Sequence, residues 1–169
     1  STTAHMSPGA PIMHSKDMVN WKIISYVFDE IKESPYNDLE GGNIYSRGQW
    51  AASLRYHDGL FYVFFGTGNK SYIYTAKDPA GTWEQKLVLD EYLHDASMLF
   101  DDDGKIYLAY GARHIRIIEF KDDLSGINPD GLQVEVIPGE PKGLLEGTHF
   151  YKFDGKYYLT LIWWPEGGI

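Results

Sequence analysis

Three stretches of this chain align without a gap: QWAASLRYHDGLFYVFFGT (49–67), HDASMLFDDDGKIYLAYGA (94–112) and LEGTHFYKFDGKYYLTLIW (145–163). Each carries an Asp-Gly pair followed by a run of aromatic and β-branched residues, the pattern of a tight turn feeding a strand. The turn glycines Gly59, Gly104 and Gly155 stand 45 and 51 residues apart. A chain that repeats a strand–turn–strand unit at this spacing is confined to architectures in which each unit buries its apolar face against the next.

Periods of about 40–50 residues with several strands each predict a β-propeller. In the second unit QWAASLRYH, LFYVFFGT, KSYIYTAKD and TWEQKLVL read as four strands, and in the third DASMLFD, KIYLAYG, HIRIIEFKDD and LQVEVIPG do the same. APIMHSKDMVNWKIISYVF at the start matches the last two strands of an earlier unit, and the fourth unit shows its first two strands. The element HSKD (14–17), TAKD (75–78) and EFKDD (119–123) recurs in this phasing. The expected division is late blade 1 at about 1–28, blade 2 at about 45–90, blade 3 at about 92–138 and the start of blade 4 at about 144–169. That is roughly two and a half to three blades of an all-β fold. Runs such as FYVFF and YYLTLIWW are apolar on both faces, as stacked blades require. FDEIKESPYNDLEGG (28–42) and PGEPKG (138–143) read as loops.

Composition narrows the function classes. Aromatics make up 15% of the 169 residues, with 13 Tyr, 18 Gly and 8 Pro, residues of short strands joined by turns. A net charge of −9 argues against a nucleic-acid partner, which would need a Lys/Arg surface. No cysteine is present, so disulfides and thiolate zinc sites are excluded. No apolar run approaches the ~20 residues of a membrane-spanning helix, so no membrane partner is expected. No secretion signal is visible. The chain begins at STTAHMSPG without an initiator Met and stops at IWWPEGGI just after an apolar strand, so both ends are expected to be cuts within a larger fold that a complementary chain or segment completes.

Nine residues before each turn glycine stand Trp50, Asp95 and Glu146. In a propeller the first strand of each blade lines the central axis, so these positions converge on one funnel. Two carboxylates held close repel when both are ionised, which raises one pKa and keeps an acid available to protonate a leaving group. Cleavage of a glycosidic bond needs such a pair, and Trp50 offers an apolar face for a sugar ring. The plainer readings are a turn-capping Asp and a packing Trp; the shared register is what lifts these residues above them. His94 either orients Asp95 or is an ordinary polar neighbour, the simpler reading. Asp101–Asp103 lacks the ligand spacing of a calcium loop and reads as a solvated hairpin turn. Asn69-Lys70-Ser71 forms a glycosylation sequon, meaningful only in a secreted eukaryotic protein.

PIMHSKDMVNW, RGQWAASLRYHDGLFYV, LHDASMLFDDDGKIYLAYG and LLEGTHFYKFDGKYYL together resemble glycoside hydrolase family 43, and the resemblance runs through essentially the whole chain. It implies a five-bladed β-propeller of inverting glycosidases, among them β-xylosidases, α-L-arabinofuranosidases and endo-arabinanases. By motif, the LEGTH segment makes Glu146 the general acid, the HDAS segment makes Asp95 the pKa modulator, and the QWAAS segment places Trp50 in the pocket wall. STTAHMSPG followed by PIMHSKDMVNW resembles the exo-acting xylosidase and arabinofuranosidase branch, with His5 near the pocket mouth and Trp163 or Trp164 bordering it. The family's Asp general base lies ahead of the segment resembling STTAHMSPG and is expected outside this chain, so the isolated chain should be inactive. The implied partner is a pentose-containing oligosaccharide or polysaccharide. No cofactor is required, although the resemblance allows calcium at the propeller centre. Secretion or periplasmic export would suit such an enzyme. The competing reading is a non-catalytic carbohydrate-binding propeller; an interaction scaffold of the WD type lacks its Trp-Asp signature here.

Overall fold

The computed structural model describes residues 2–3, 7–31, 48–139 and 143–166. Among them there are twelve strands and no helix. They divide into two compact units, Ser1–Tyr92 and Leu93–Ile169.

The first unit holds β1 (Gly9–His14) paired with β2 (Lys22–Phe28), and a four-stranded antiparallel meander of β3 (Ala52–His57), β4 (Leu60–Thr67), β5 (Lys70–Ala76) and β6 (Glu84–Leu89). Alternation decides which side chains meet. Val63 and Phe65 of β4 stand cross-strand from Tyr74 and Tyr72 of β5, and this face packs on Ala10, Ile12, Val27 and Phe28 of the β1–β2 pair. Phe28 stacks on Phe65 at 5.1 Å between centroids, and Phe65 on Tyr72 at 5.4 Å. Phe64 and Ile73, on the other face, are buried as well. The FYVFF run is therefore covered on both sides, as its composition led one to expect.

The second unit repeats the plan. β7 (Ser97–Phe100), β8 (Ile106–Tyr110), β9 (His114–Phe120) and β10 (Gln133–Pro138) form a four-stranded meander, and β11 (Gly143–Phe153) pairs with β12 (Lys156–Pro165). Leu99, Ala109 and Ile117 on one face of the meander meet Phe150 of β11, with Tyr107 and Leu159 packed beside them. The repeated HSKD, TAKD and EFKDD elements close β1, β5 and β9, and a carboxylate ties each following turn. Asp17 Oδ1 accepts from the Val19 N–H at 2.9 Å, Asp78 Oδ1 from the Ala80 N–H at 2.9 Å, and Asp123 Oδ1 from the Ser125 N–H at 2.8 Å.

The Asp-Gly turns differ in one respect. Asp58-Gly59 (φ 46° and 79°) and Asp154-Gly155 (φ 49° and 71°) are two-residue turns with both centres left-handed, the type that matches strand twist. In the middle repeat the Asp101 N–H donates to Lys105 O at 2.9 Å and the Gly104 N–H to Asp101 O at 3.1 Å, with Gly104 alone left-handed. The loop is longer there, a type I turn closed by a glycine bulge.

Several sequence expectations need correction or fall outside the described residues. β3 and β7 start at Ala52 and Ser97, later than the strands read from Gln49 and Asp95: the chain turns at His94 and Asp95 ahead of β7, and ahead of β3 the Trp50 N–H makes a long bond of 3.4 Å to Gly66 O without continuing the ladder. The β12 run YYLTLIWW is exposed on both faces: Tyr157, Tyr158, Ile162, Trp163 and Trp164 all lie open. Asp101 is not solvated; it is buried and paired with Lys152 and Tyr157, whereas Asp102 and Asp103 are exposed. Most of the loop at 28–42 and the centre of 138–143 lie outside the described residues, as does His5.

Candidate active site

Glu146 sits inside β11, not ahead of it. It pairs with Ile162, whereas His149 pairs with Thr160, so Gly147 and Thr148 together oppose Leu161. This is a β-bulge with a left-handed glycine (φ 69°) in its first position. The bulge takes the Gly147 N–H out of the ladder and aims it at Asp95 Oδ2, 3.0 Å away. The next residue, the buried Thr148, donates its hydroxyl to the Asp95 carbonyl oxygen and lies 3.1 Å from Ala109 O. One irregularity in β11 thus grips both the side chain and the backbone of Asp95.

The turn ahead of β7 presents the other half of the site. Asp95 has φ 44°, a left-handed conformation that costs a non-glycine residue about 1–2 kcal/mol unless its surroundings hold it. The Gly147 and Thr148 bonds are those surroundings. His94 is fixed by its own carbonyl, which accepts from the Gly111 N–H at 2.9 Å. Gly111 has φ 131°, and a Cβ there would lie 2.0 Å from His114 O, so no other residue fits at that turn. The Arg113 N–H donates to Leu145 O at 2.7 Å and ties the same turn to the strand carrying Glu146.

These anchors bring three side chains together. His94 Nε2 lies 3.0 Å from Glu146 Oε2 and 3.6 Å from Asp95 Oδ2. Side-chain exposures of 24%, 15% and 25% for His94, Asp95 and Glu146 leave the cluster open to a solute yet largely shielded from bulk water. The facing donor atoms of all three lie within 4.8 Å of one another, the sole His/Asp/Glu grouping of this kind among the described residues. One imidazole and two carboxylates suit a zinc-type cation better than calcium, which takes six to eight oxygens. Equally, a carboxyl group hydrogen-bonded to an imidazole beside a second carboxylate is a machine for moving a proton.

The structure brings Asp95 and Glu146, which share a register in the sequence, into one cluster, and it sets the His94 ring beside both carboxylates rather than beside Asp95 alone. Thr148 was also missed, although a Gly-Thr pair directly after the candidate acid is the kind of signal a bulge leaves in a sequence. Trp50 belongs to the first unit, where it precedes β3 half exposed. Its neighbour Gln49 is buried and accepts from the Ala10 N–H at 3.0 Å, which fixes that end of the strand against β1. Trp163 pairs with Leu145, so alternation sets it on the face opposite Glu146, while Trp164, paired with Leu144, shares the face of Glu146.

The sequence profile of the glycosyl hydrolases family 43 matches residues 1–169. The chain belongs to glycosyl hydrolases family 43. Among its family relatives, the non-reducing end α-L-arabinofuranosidase BoGH43B of Bacteroides ovatus is 34% identical over 99% of this chain and 31% of its own length. A β-xylosidase of Formosa agariphila is 32% identical over 98% of this chain and 30% of its own. In the solved structure of a bifunctional GH43-CE protein of Bacteroides eggerthii, 23% of that chain covers all of this one with a TM-score of 0.90 and 42% identity. The chain spans about a third of the length of the curated relatives it matches.

Proposed function

We propose that this chain contributes the general acid and its supporting carboxylate to an inverting glycosidase of xylose- and arabinose-containing hemicellulose oligosaccharides. The observation that carries the reading is the Asp95–His94–Glu146 cluster, assembled where a bulge in β11 bonds both the side chain and the backbone of the left-handed Asp95 turn. Membership of the family and the named activities of the relatives supply the reaction class.

In this reading Glu146 donates its proton to the glycosidic oxygen as the bond to the anomeric carbon breaks. The bonding electrons leave with the oxygen, and the sugar passes through an oxocarbenium-like state that water captures from the opposite face. Asp95 is the pKa modulator and orienting neighbour of the acid. The base that activates water is assigned to residues beyond these 169, at the ~6.5–9.5 Å from the acid that inversion requires. The two meanders and two strand pairs are read as parts of blades of a five-bladed propeller. Trp50 is assigned to the pocket wall, with Trp164 a better-placed border than Trp163. The open face of β11–β12, which carries the exposed His149, Phe153 and Tyr158, favours further chain packing there to complete the fold. Exo action on a chain end is the branch the N-terminal motifs favour.

The test is hydrolysis of xylobiose and of arabinofuranosyl oligosaccharides by the full-length protein, beside its Glu146→Gln variant. Turnover that falls by about 10²–10⁴-fold, with sugar binding retained, is the expected result. Unchanged turnover in the variant would remove Glu146 from the acid role. Binding without turnover in the wild type would move the protein to the carbohydrate-binding reading.

A further inference from the structure

We infer that His94 is the positioning residue of the acid: its Nε2–H donates to Glu146 Oε2 and leaves the transferable proton on Oε1. The inference rests on the assignment of Glu146 as general acid. Nε2 stands 3.0 Å from Glu146 Oε2 and 3.6 Å from Asp95 Oδ2, so the bond within reach is the one to Glu146. The imidazole is presented from a turn that cannot shift freely, since its carbonyl is pinned by Gly111 and Gly111 admits no side chain.

The direction of the bond follows from the chemistry. Were Nε2 the acceptor, Glu146 would spend its proton on the imidazole and have none facing the substrate. With Nε2–H as donor, the carbonyl-type Oε2 is engaged and Oε1 carries the O–H. As the glycosidic oxygen takes that proton, Oε1–H breaks, a new O–H forms on the leaving group, and Glu146 becomes a carboxylate. A hydrogen bond from N–H to a carboxylate is roughly twice as strong as one to a neutral acid. The His94 bond therefore tightens while the proton departs, and its stabilisation is greatest where the barrier lies.

The experiment compares two aryl glycosides of the same sugar in the full-length protein, 2,4-dinitrophenyl and 4-methoxyphenyl β-D-xyloside or α-L-arabinofuranoside. The first leaves as a stable anion and needs little protonation; the second needs the acid. His94→Phe keeps the ring and removes the donor. Its kcat on the 4-methoxyphenyl glycoside is expected to fall about 10–100-fold, with the 2,4-dinitrophenyl glycoside changed by less than about threefold. His94→Gln, whose amide reaches the Nε2 position, restores most of the lost rate. Equal losses on both substrates at unchanged Tm, or no loss on either, would overturn the inference. Glu146→Gln is assayed alongside. If it shows the asymmetry and His94→Phe does not, the positioning role alone fails; if it shows none, the acid assignment itself fails. Should His94→Phe not fold, the comparison passes to His94→Asn, whose shorter amide falls short of Glu146. A substrate asymmetry absent from Asn and Gln alike would then count against the role.

Discussion

Asp101 accepts hydrogen bonds from Lys152 Nζ, Tyr157 Oη and, at 2.7 Å, the Asp102 N–H, with its side chain 1% exposed. Burial pushes its carboxyl up, but these donors outweigh burial and hold it below the ordinary carboxylate value. Lys152, bonded to Asp101 and also 3.1 Å from Asp102 Oδ2, is held above the ordinary lysine value. A carboxyl whose folded value is lowered stabilises the fold fully above its unfolded value, near pH 4, and loses that contribution as pH falls through the folded value. Asp101→Asn should therefore lower Tm by roughly 5 °C or more at pH 7, and the gap to wild type should narrow below about pH 4. Thermal unfolding followed by circular dichroism across pH 3–7 checks both. The sequence could not distinguish this Asp from its two exposed neighbours. The partners lie on β11 and β12, some fifty residues away, and nothing local marks which of three adjacent carboxylates they will choose.

At the scale of elements, local chemistry carries a long way. The Asp-Gly pairs place the hairpins, and β4 runs over the same residues, 60–67, that its apolar pattern marks. What escapes is irregularity. The bulge at Gly147 turns its N–H to a carboxylate in a turn some fifty residues earlier, and only the folded pairing reveals that bond. Gly147 and Gly155 share nearly the same left-handed φ, 69° and 71°. A Cβ on Gly155 would meet nothing within 4 Å, but one on Gly147 would come to 3.2 Å from Ile162 Cδ1. Gly155→Ala should thus cost about 1–2 kcal/mol of stability for its left-handed backbone and leave hydrolysis intact. Gly147→Ala should carry a similar backbone cost and also displace the N–H that holds Asp95. Activity per folded molecule on a poor leaving group is expected to fall about tenfold or more. Equal specific activities in the two variants would show that the bulge serves the sheet and not the site.

Over the whole molecule, two equally apolar strands meet different fates. β4 is covered on both faces, while β12 lies open, and no count of aromatic residues separates them, because burial depends on what is laid against a strand. On the open side His149, Tyr151 and Phe153 form a stacked row, with ring centroids 6.2 Å and then 5.8 Å apart, and Tyr158 meets Phe153 at 5.9 Å. A continuous aromatic row of this kind is the surface that an adjoining sheet covers or that a second molecule finds. Tyr158→Lys separates these outcomes because it puts a charge in the middle of the row. In the 169-residue chain by itself the substitution should reduce self-association, read by sedimentation velocity. In the full-length protein the same lysine should be buried against neighbouring chain, lowering Tm by several degrees, roughly what one unpaired buried charge costs. Should Tyr158→Lys leave the full-length Tm unchanged, the row would have to be a solvent-facing surface, and the proposal that further strands of a propeller pack on β11–β12 would fall with it.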